Sequence, residues 1–181
     1  MKEPKSRVRD QRLIHQGTVF SLFQDQVILP NGKDLAIDVI RHPGAAAIVA
    51  LKDPETVLLL RQYRYAVEQY LWEVPAGTLA EGENPLQCAK RELLEETGFD
   101  ADNWEPLGRI IPLPAYSDEI IHIFLAHGLT HLTQALDQDE ILKVHAVPLK
   151  EIDSMIMREE IKDSKSISAL TLARLRLAKG L

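Results

Sequence analysis

Gly77 to Phe99 reads GTLAEGENPLQCAKRELLEETGF, and the punctuation of this stretch marks out one helix. Asn84 carries an oxygen suited to capping a first turn, Pro85 suits the first helical position, and Gly98 is the usual residue just past a helix end. A helix from Pro85 to Thr97 follows, about three and a half turns long. At about 100° per residue, Leu86, Ala89, Leu93 and Thr97 form a stripe that can face a core. Glu92, Glu95 and Glu96 fall together on the flank beside that stripe, with Arg91 just before them and Glu83 ahead of the helix. Carboxylates this close repel one another, so cationic charge is needed among them. A hard divalent cation that takes oxygen ligands, Mg²⁺ or Mn²⁺, meets that need. A solvated acidic helix face is the plain alternative.

The spacing decides against the plain alternative. Gly, five residues, Glu, seven residues, then Arg-Glu-aliphatic-x-Glu-Glu-x-Gly-apolar is met here by Gly77, Glu83, Arg91, Glu92, Leu93, Glu95, Glu96, Gly98 and Phe99. At average residue usage a chance match is on the order of one in 10⁹. In this signature the chain resembles the Nudix hydrolases. The resemblance implies an α/β fold, the Nudix α/β/α sandwich with a mixed sheet.

Composition agrees with an ordinary soluble globular protein. The chain has 181 residues, 45% hydrophobic and 27% charged, with a formal net charge of −6. That balance gives no support to nucleic acid or an anionic membrane as a partner. No apolar run approaches membrane-spanning length, and the opening MKEPKSRVRDQR has no apolar signal segment, so the cytoplasm is the expected compartment. The single cysteine, Cys88, excludes an internal disulfide framework; it suits a small helix position better than a metal ligand.

Residues 1–12 mix both charges and are expected to be a frayed terminus. From Leu13 to Arg41 the pattern turns to strands, with Pro30-Asn31-Gly32-Lys33 as a hairpin turn. Residues 1–42 therefore read as an N-terminal β-meander arm and 43–181 as the main domain, packed together for want of a linker. Gly44–Leu51 and Thr56–Leu60 are short apolar runs typical of strands buried on both faces. Further strands are expected at Tyr70–Val74, Trp104–Ile111, Ile120–Ala126 and Ile141–Val147. One helix is expected from Pro148 to about Arg158, and a last one capped by Ser166.

By resemblance, Glu92 and Glu96 are the principal metal ligands, with Glu95 nearby and the Ala76 carbonyl as a further ligand. Gly77 permits an unusual backbone turn beside them, and Glu83 with Arg91 forms a structural ion pair. Arg64 falls where relatives place an arginine on substrate phosphates. Phe20, or Phe23 beside it in the arm, is a candidate for stacking a base across a homodimer interface, with core packing at least an equal alternative for either. The substrate-contacting set extends to Glu73 and Leu79. Similar enzymes draw the base that activates water from a loop matching Gln134–Glu140, which points to Glu140. Glu95, or a metal-activated water needing no protein base, are the other candidates.

Pro114, sixteen residues after Gly98, and the layout of the whole chain resemble the ADP-ribose pyrophosphatase branch. Leu113-Pro114-Ala115 departs from the Ser-Pro-Gly frequent there, so base or sugar selectivity is open. The expectation is metal-dependent hydrolysis of nucleoside diphosphate sugars, ADP-ribose first and GDP-mannose next. A non-catalytic nucleotide-sugar sensor and a decapping enzyme are the competing classes. The intact carboxylate set speaks against the sensor, and the acidic charge balance against the decapping enzyme.

Overall fold

The apolar run GAAAIVAL is the centre of a sheet covered on both faces. In the computed structural model, which describes residues 3–133 and 141–180, it lies in a strand from Ala45 to Asp53 that is buried over its first seven residues. Ala45, Ala47, Val49 and Leu51 project into one hydrophobic cluster and Ala46, Ile48 and Ala50 into another. Side chains alternate across a strand, so a continuous apolar run means cover above and below. The chain divides into two units, Met1–Pro43 with Leu113–Glu119, and Gly44–Pro112 with Ile120–Leu181.

In the first unit, β1 (Arg7–Gln16), β2 (Ser21–Ile28) and β3 (Asp34–Arg41) form an antiparallel meander. Arg7–Arg12 is thus not frayed: it pairs with β2 from Arg7–Ile28 to Gln16–Ser21, with bulges after Val8 and Leu13. Every residue of β1 is exposed, so it shows no apolar alternation to read. Polar cross-strand bonds accompany its ladder: Gln11 Nε2 to Asp25 Oδ1 (3.1 Å) and Arg12 to Gln24 Oε1 (3.0 Å). The segment Leu113–Glu119 joins this unit, where the Ile40 N–H donates to the Tyr116 carbonyl (2.8 Å) and the His42 N–H to Asp118 (2.9 Å).

In the second unit, β4 (Ala45–Asp53), β5 (Thr56–Arg64), β6 (Gln69–Glu73), β7 (Ala76–Thr78), β8 (Phe99–Ile110), β9 (Ile121–His131) and β10 (Leu142–Pro148) form a mixed sheet. Its order is β10-β5-β4-β9-β8, with β6 on β5 and β7 on β4; the β4–β9 pair is parallel. Helix α1 (Pro85–Thr97) covers one face through Cys88, Ala89 and Leu93. Helices α2 (Leu149–Met157) and α3 (Ser164–Leu177) cover the other through Ile152, Met155, Ala169, Leu170 and Ala173. This is the expected α/β/α sandwich. The cap of α3 is Asp163 rather than Ser166: its carboxylate accepts from the Ser166 N–H at 3.0 Å, and Ser166 is buried in the first turn. Strand β8 also starts earlier than Trp104, directly after Gly98.

Candidate active site

Helix α1 holds its boundaries through its caps. The Asn84 side chain accepts from the Leu86 N–H at 2.9 Å, and Gly98, at φ 73°, donates its N–H to the Leu94 carbonyl. That left-handed C-cap is where glycine costs least. The core-facing stripe is wider than periodicity suggested, because two of its glutamates are buried. Glu92 is 8% exposed and Glu96 only 1%.

Each buried carboxylate meets the segment that joins β6 to α1. Glu96 Oε2 accepts the Ala76 N–H at 2.9 Å. The Glu92 carboxyl lies over the α-carbon of Gly77, where even a methyl group would overlap it. Gly77 is therefore needed for close approach; its φ is not positive, so the expected unusual backbone turn is not its reason for being glycine.

Arg91 gathers the remaining charge. Its Nε and Nη2 each lie 3.0 Å from an oxygen of Glu83, and Nη2 also reaches the Thr78 carbonyl at 3.2 Å. Its Nη1 donates to Glu92 Oε1 at 2.6 Å and to Glu95 Oε2 at 2.9 Å. The Arg91 bonds, with the Ala80 N–H, hold the Glu83 carboxyl down at about 2. Hydrogen bonding to Glu83 in turn raises the Arg91 pKa further. Burial pushes the Cys88 thiol up to about 12, which fits a packed helix residue rather than a metal-binding thiolate.

A second charged group sits on β5 and β6. Glu73, 2% exposed, receives Arg64 Nε at 2.9 Å and Nη2 at 2.7 Å, and is also bonded by Lys165 of α3. Burial works against the charged form of Glu73, but Arg64 and Lys165 overcome it and hold the carboxyl at about 2. The bonds to Glu73 raise Arg64. The side chain of Arg64 is 41% exposed, so its outer edge remains open to a ligand.

The structure thus brings Glu83, Arg91, Glu92 and Glu95 into one network and ties Glu96 to Ala76. It does not draw three carboxylates around one point: among the described residues no group of three His, Cys, Asp or Glu could hold a metal ion. The donor chemistry still fits a hard divalent ion, being carboxylate and carbonyl oxygen throughout, with space left at Gly77 for the Glu92 carboxyl. Leu79 packs on the α1-side cluster and donates its N–H to the Gly44 carbonyl at 3.1 Å, a packing position. Phe20 belongs to the meander unit, 43% exposed between β1 and β2. Glu140 lies outside the described residues.

Sequence reasoning missed Lys165 and Asp163 and read Ser166 only as a helix cap. Ser166 Oγ accepts the buried Val74 N–H at 2.9 Å and donates to Asp163 at 2.6 Å. The Asp163-x-x-Ser166 spacing of a helix start was the one available signal, and nothing local marks Lys165. Gln62 was missed too: it is buried, and its Oε1 accepts no hydrogen bond from a described residue.

A family model described as NUDIX domain matches residues 41–170, and the chain belongs to that family. Nudix hydrolases generally need a divalent metal. An ADP-ribose pyrophosphatase of Bacillus subtilis (strain 168) is 34% identical over 180 residues, spanning 98% of this chain and 97% of its own length. A methanol dehydrogenase activator of Bacillus methanolicus is 38% identical over 167 residues, or 91% and 90% of the two chains. A crystal structure of an ADP compounds hydrolase is similar in fold, with a TM-score of 0.85 over 99% of this chain and 98% of that one at 22% identity. Among the described residues no helix is long and apolar enough to cross a membrane.

Proposed function

We propose that this protein hydrolyses the pyrophosphate bond of nucleoside diphosphate sugars, with ADP-ribose the favoured substrate and AMP and ribose 5-phosphate the products. The observation that carries the reading is a surplus of carboxylate on α1, part of it buried at Ala76–Gly77, in the same unit as an arginine held by its inner edge. Relatives named for ADP-ribose hydrolysis support the choice of substrate.

Glu92, Glu95 and Glu96, with the Ala76 carbonyl, would hold the divalent ion, Mg²⁺ with Mn²⁺ as a substitute. Once bound, the ion supplies charge neutralisation at the diphosphate and a lowered pKa for water. Arg64 binds a diphosphate oxygen through the N–H groups that Glu73 leaves unused. Water attacks one phosphorus, its oxygen forms the new P–O bond, and the bridging P–O bond breaks toward the other phosphate. The proton of that water goes to a base, for which we propose Glu140, with Glu95 the alternative. Glu140→Gln should lower kcat by about 10²–10⁴-fold with KM little changed. Normal turnover in that variant, beside an inactive Glu95→Gln that still binds metal, would move the base to the helix.

Phe20 as a base-stacking residue, a homodimer assembled through the meander and a cytoplasmic location complete the proposal. Sedimentation of a fully active monomer would remove the dimer. GDP-mannose is the second reading, because carboxylates and Arg64 read only the diphosphate. A panel of sugar nucleotides, with released monophosphate detected through a phosphatase, separates the two. Rapid turnover of a nucleoside triphosphate with none of any sugar nucleotide would overturn both. Uptake of ligand without products at saturating Mg²⁺ would identify a sensor instead.

A further inference from the structure

Helix α3 has the usual acidic cap, Asp163, but the turn that follows it departs from the usual charge preference. Its first turn contains no acidic residue and carries Lys165, although the positive end of a helix favours anions. That side chain is only 14% exposed, and folding a lysine inward costs both hydration and rotamer freedom. A residue that breaks a local rule at such cost has a compensating contact. Here the contact is Glu73, on a different element and 92 positions away in sequence.

We propose that Lys165 is a positioning residue that fixes the Glu73 carboxylate and, through it, aims Arg64 at the diphosphate of the substrate. The inference rests on the hydrolase reading above. Arg64 and Glu73 meet fork to fork, with Nε on Oε1 and Nη2 on Oε2. Such a pair is planar, so the plane of the carboxylate sets the plane of the guanidinium. The last torsion of a glutamate is soft, and two donors on one edge leave the pair free to rock about it. Lys165 adds a third donor, on Oε2. Lys165 is itself anchored by Asp163 at 2.9 Å. Asp163 is held by the Ser166 N–H and hydroxyl, and Ser166 by the buried Val74 N–H next to Glu73. The first turn of α3 and the end of β6 thereby form one closed polar loop around the carboxylate. Arg64 Nη1 makes no bond to a described residue and keeps both of its N–H groups for a ligand.

The test is a double-mutant cycle between Lys165→Met and Arg64→Ala, read by KM and kcat for ADP-ribose and by calorimetric affinity for ADP. Lys165→Met should raise KM about tenfold, weaken ADP by the same factor and leave kcat within about twofold. In the Arg64→Ala background the same change should add nothing, because the group it positions is gone. Lys165→Arg, which keeps the cation and its donors, should return KM to within about threefold of the parent. Additive effects in the cycle, or an unchanged KM in a folded Lys165→Met, would overturn the role. Failure of the hydrolase reading looks different: the parent protein itself would turn over no sugar nucleotide. If Lys165→Met does not fold, Lys165→Gln takes its place in the cycle under the same criteria.

Discussion

Two charged clusters in the larger unit are built on opposite ratios. Around Arg91 one cation serves three carboxylates, Glu83, Glu92 and Glu95. Around Glu73 one carboxylate serves two cations, Arg64 and Lys165. The first arrangement leaves negative charge uncompensated and favours an added cation. The second leaves guanidinium N–H groups unspent and favours an added anion. A metal-bound diphosphate asks for both.

The largest effect should come from neutralising the surplus carboxylates. Glu92→Gln and Glu96→Gln should each lower kcat by about 10³-fold and shift the Mg²⁺ titration to higher concentration. The same substitutions should leave the Arg64 cluster able to bind ADP weakly without metal. Near-normal turnover at ordinary Mg²⁺ in either variant would remove that residue from the metal set.

Gly77→Ala comes next. Its methyl group would overlap the Glu92 carboxyl, the far end of a flexible side chain that can swing away. The fold should survive while the carboxylate is displaced, with kcat lower by about 10²-fold. A melting temperature well below the parent's, with activity preserved, would mean that the glycine serves the backbone after all.

The helix and its carboxylates were legible in sequence because their signals are local. Asn84, Pro85 and Gly98 bracket α1, and the glutamates fall at helical spacing. β4 and β5 were legible through runs long enough to need cover on both faces. The first part of β1, Arg7–Arg12, was not, because its side chains are all exposed and show no apolar alternation. The burial of Glu92 and Glu96 was also hidden: periodicity places a carboxylate on a flank but cannot show that the Ala76–Gly77 segment will close over it. Lys165 was hidden for the same reason in a stronger form, its partner being distant in sequence and unmarked by any motif.

Arg91→Met sharpens the contrast between the clusters. It leaves Glu83, Glu92 and Glu95 without their shared cation, and because Glu83 and Glu92 are largely buried the variant should be less stable by more than the ~1 kcal/mol of an exposed pair. Added Mg²⁺ should then raise the melting temperature of the variant more than that of the parent, through linkage of binding to folding. Equal shifts in both proteins would mean that Arg91 and the metal do not compete for the same carboxylates.

The smallest effect lies in the acid limb of stability. Glu73 and Glu83 are both held at about 2, against 4.5 for an ordinary glutamate. A carboxyl depressed on folding contributes stability that is fully present above its unfolded value. That contribution is lost as pH falls from about 4.5 toward 2, because the unfolded chain takes up the proton first. Within that window each group adds a slope of up to about 1.4 kcal/mol per pH unit. Glu83→Gln should therefore flatten the fall in stability, measured by urea denaturation at pH 5, 4 and 3, by about one proton's worth. Salt separates the two sites. The Glu83 side chain retains 14% exposure and its arginine partner 36%, whereas Glu73 retains 2%, with its partners Lys165 at 14% and Arg64 at 41%, so the contrast lies in the carboxylate and the lysine. High salt should erode the Glu83 share and leave most of the Glu73 share. An acid limb equally insensitive to salt in the parent and in Glu83→Gln would mean that Glu83 is as shielded as Glu73, and the electrostatic contrast between the two clusters would fail.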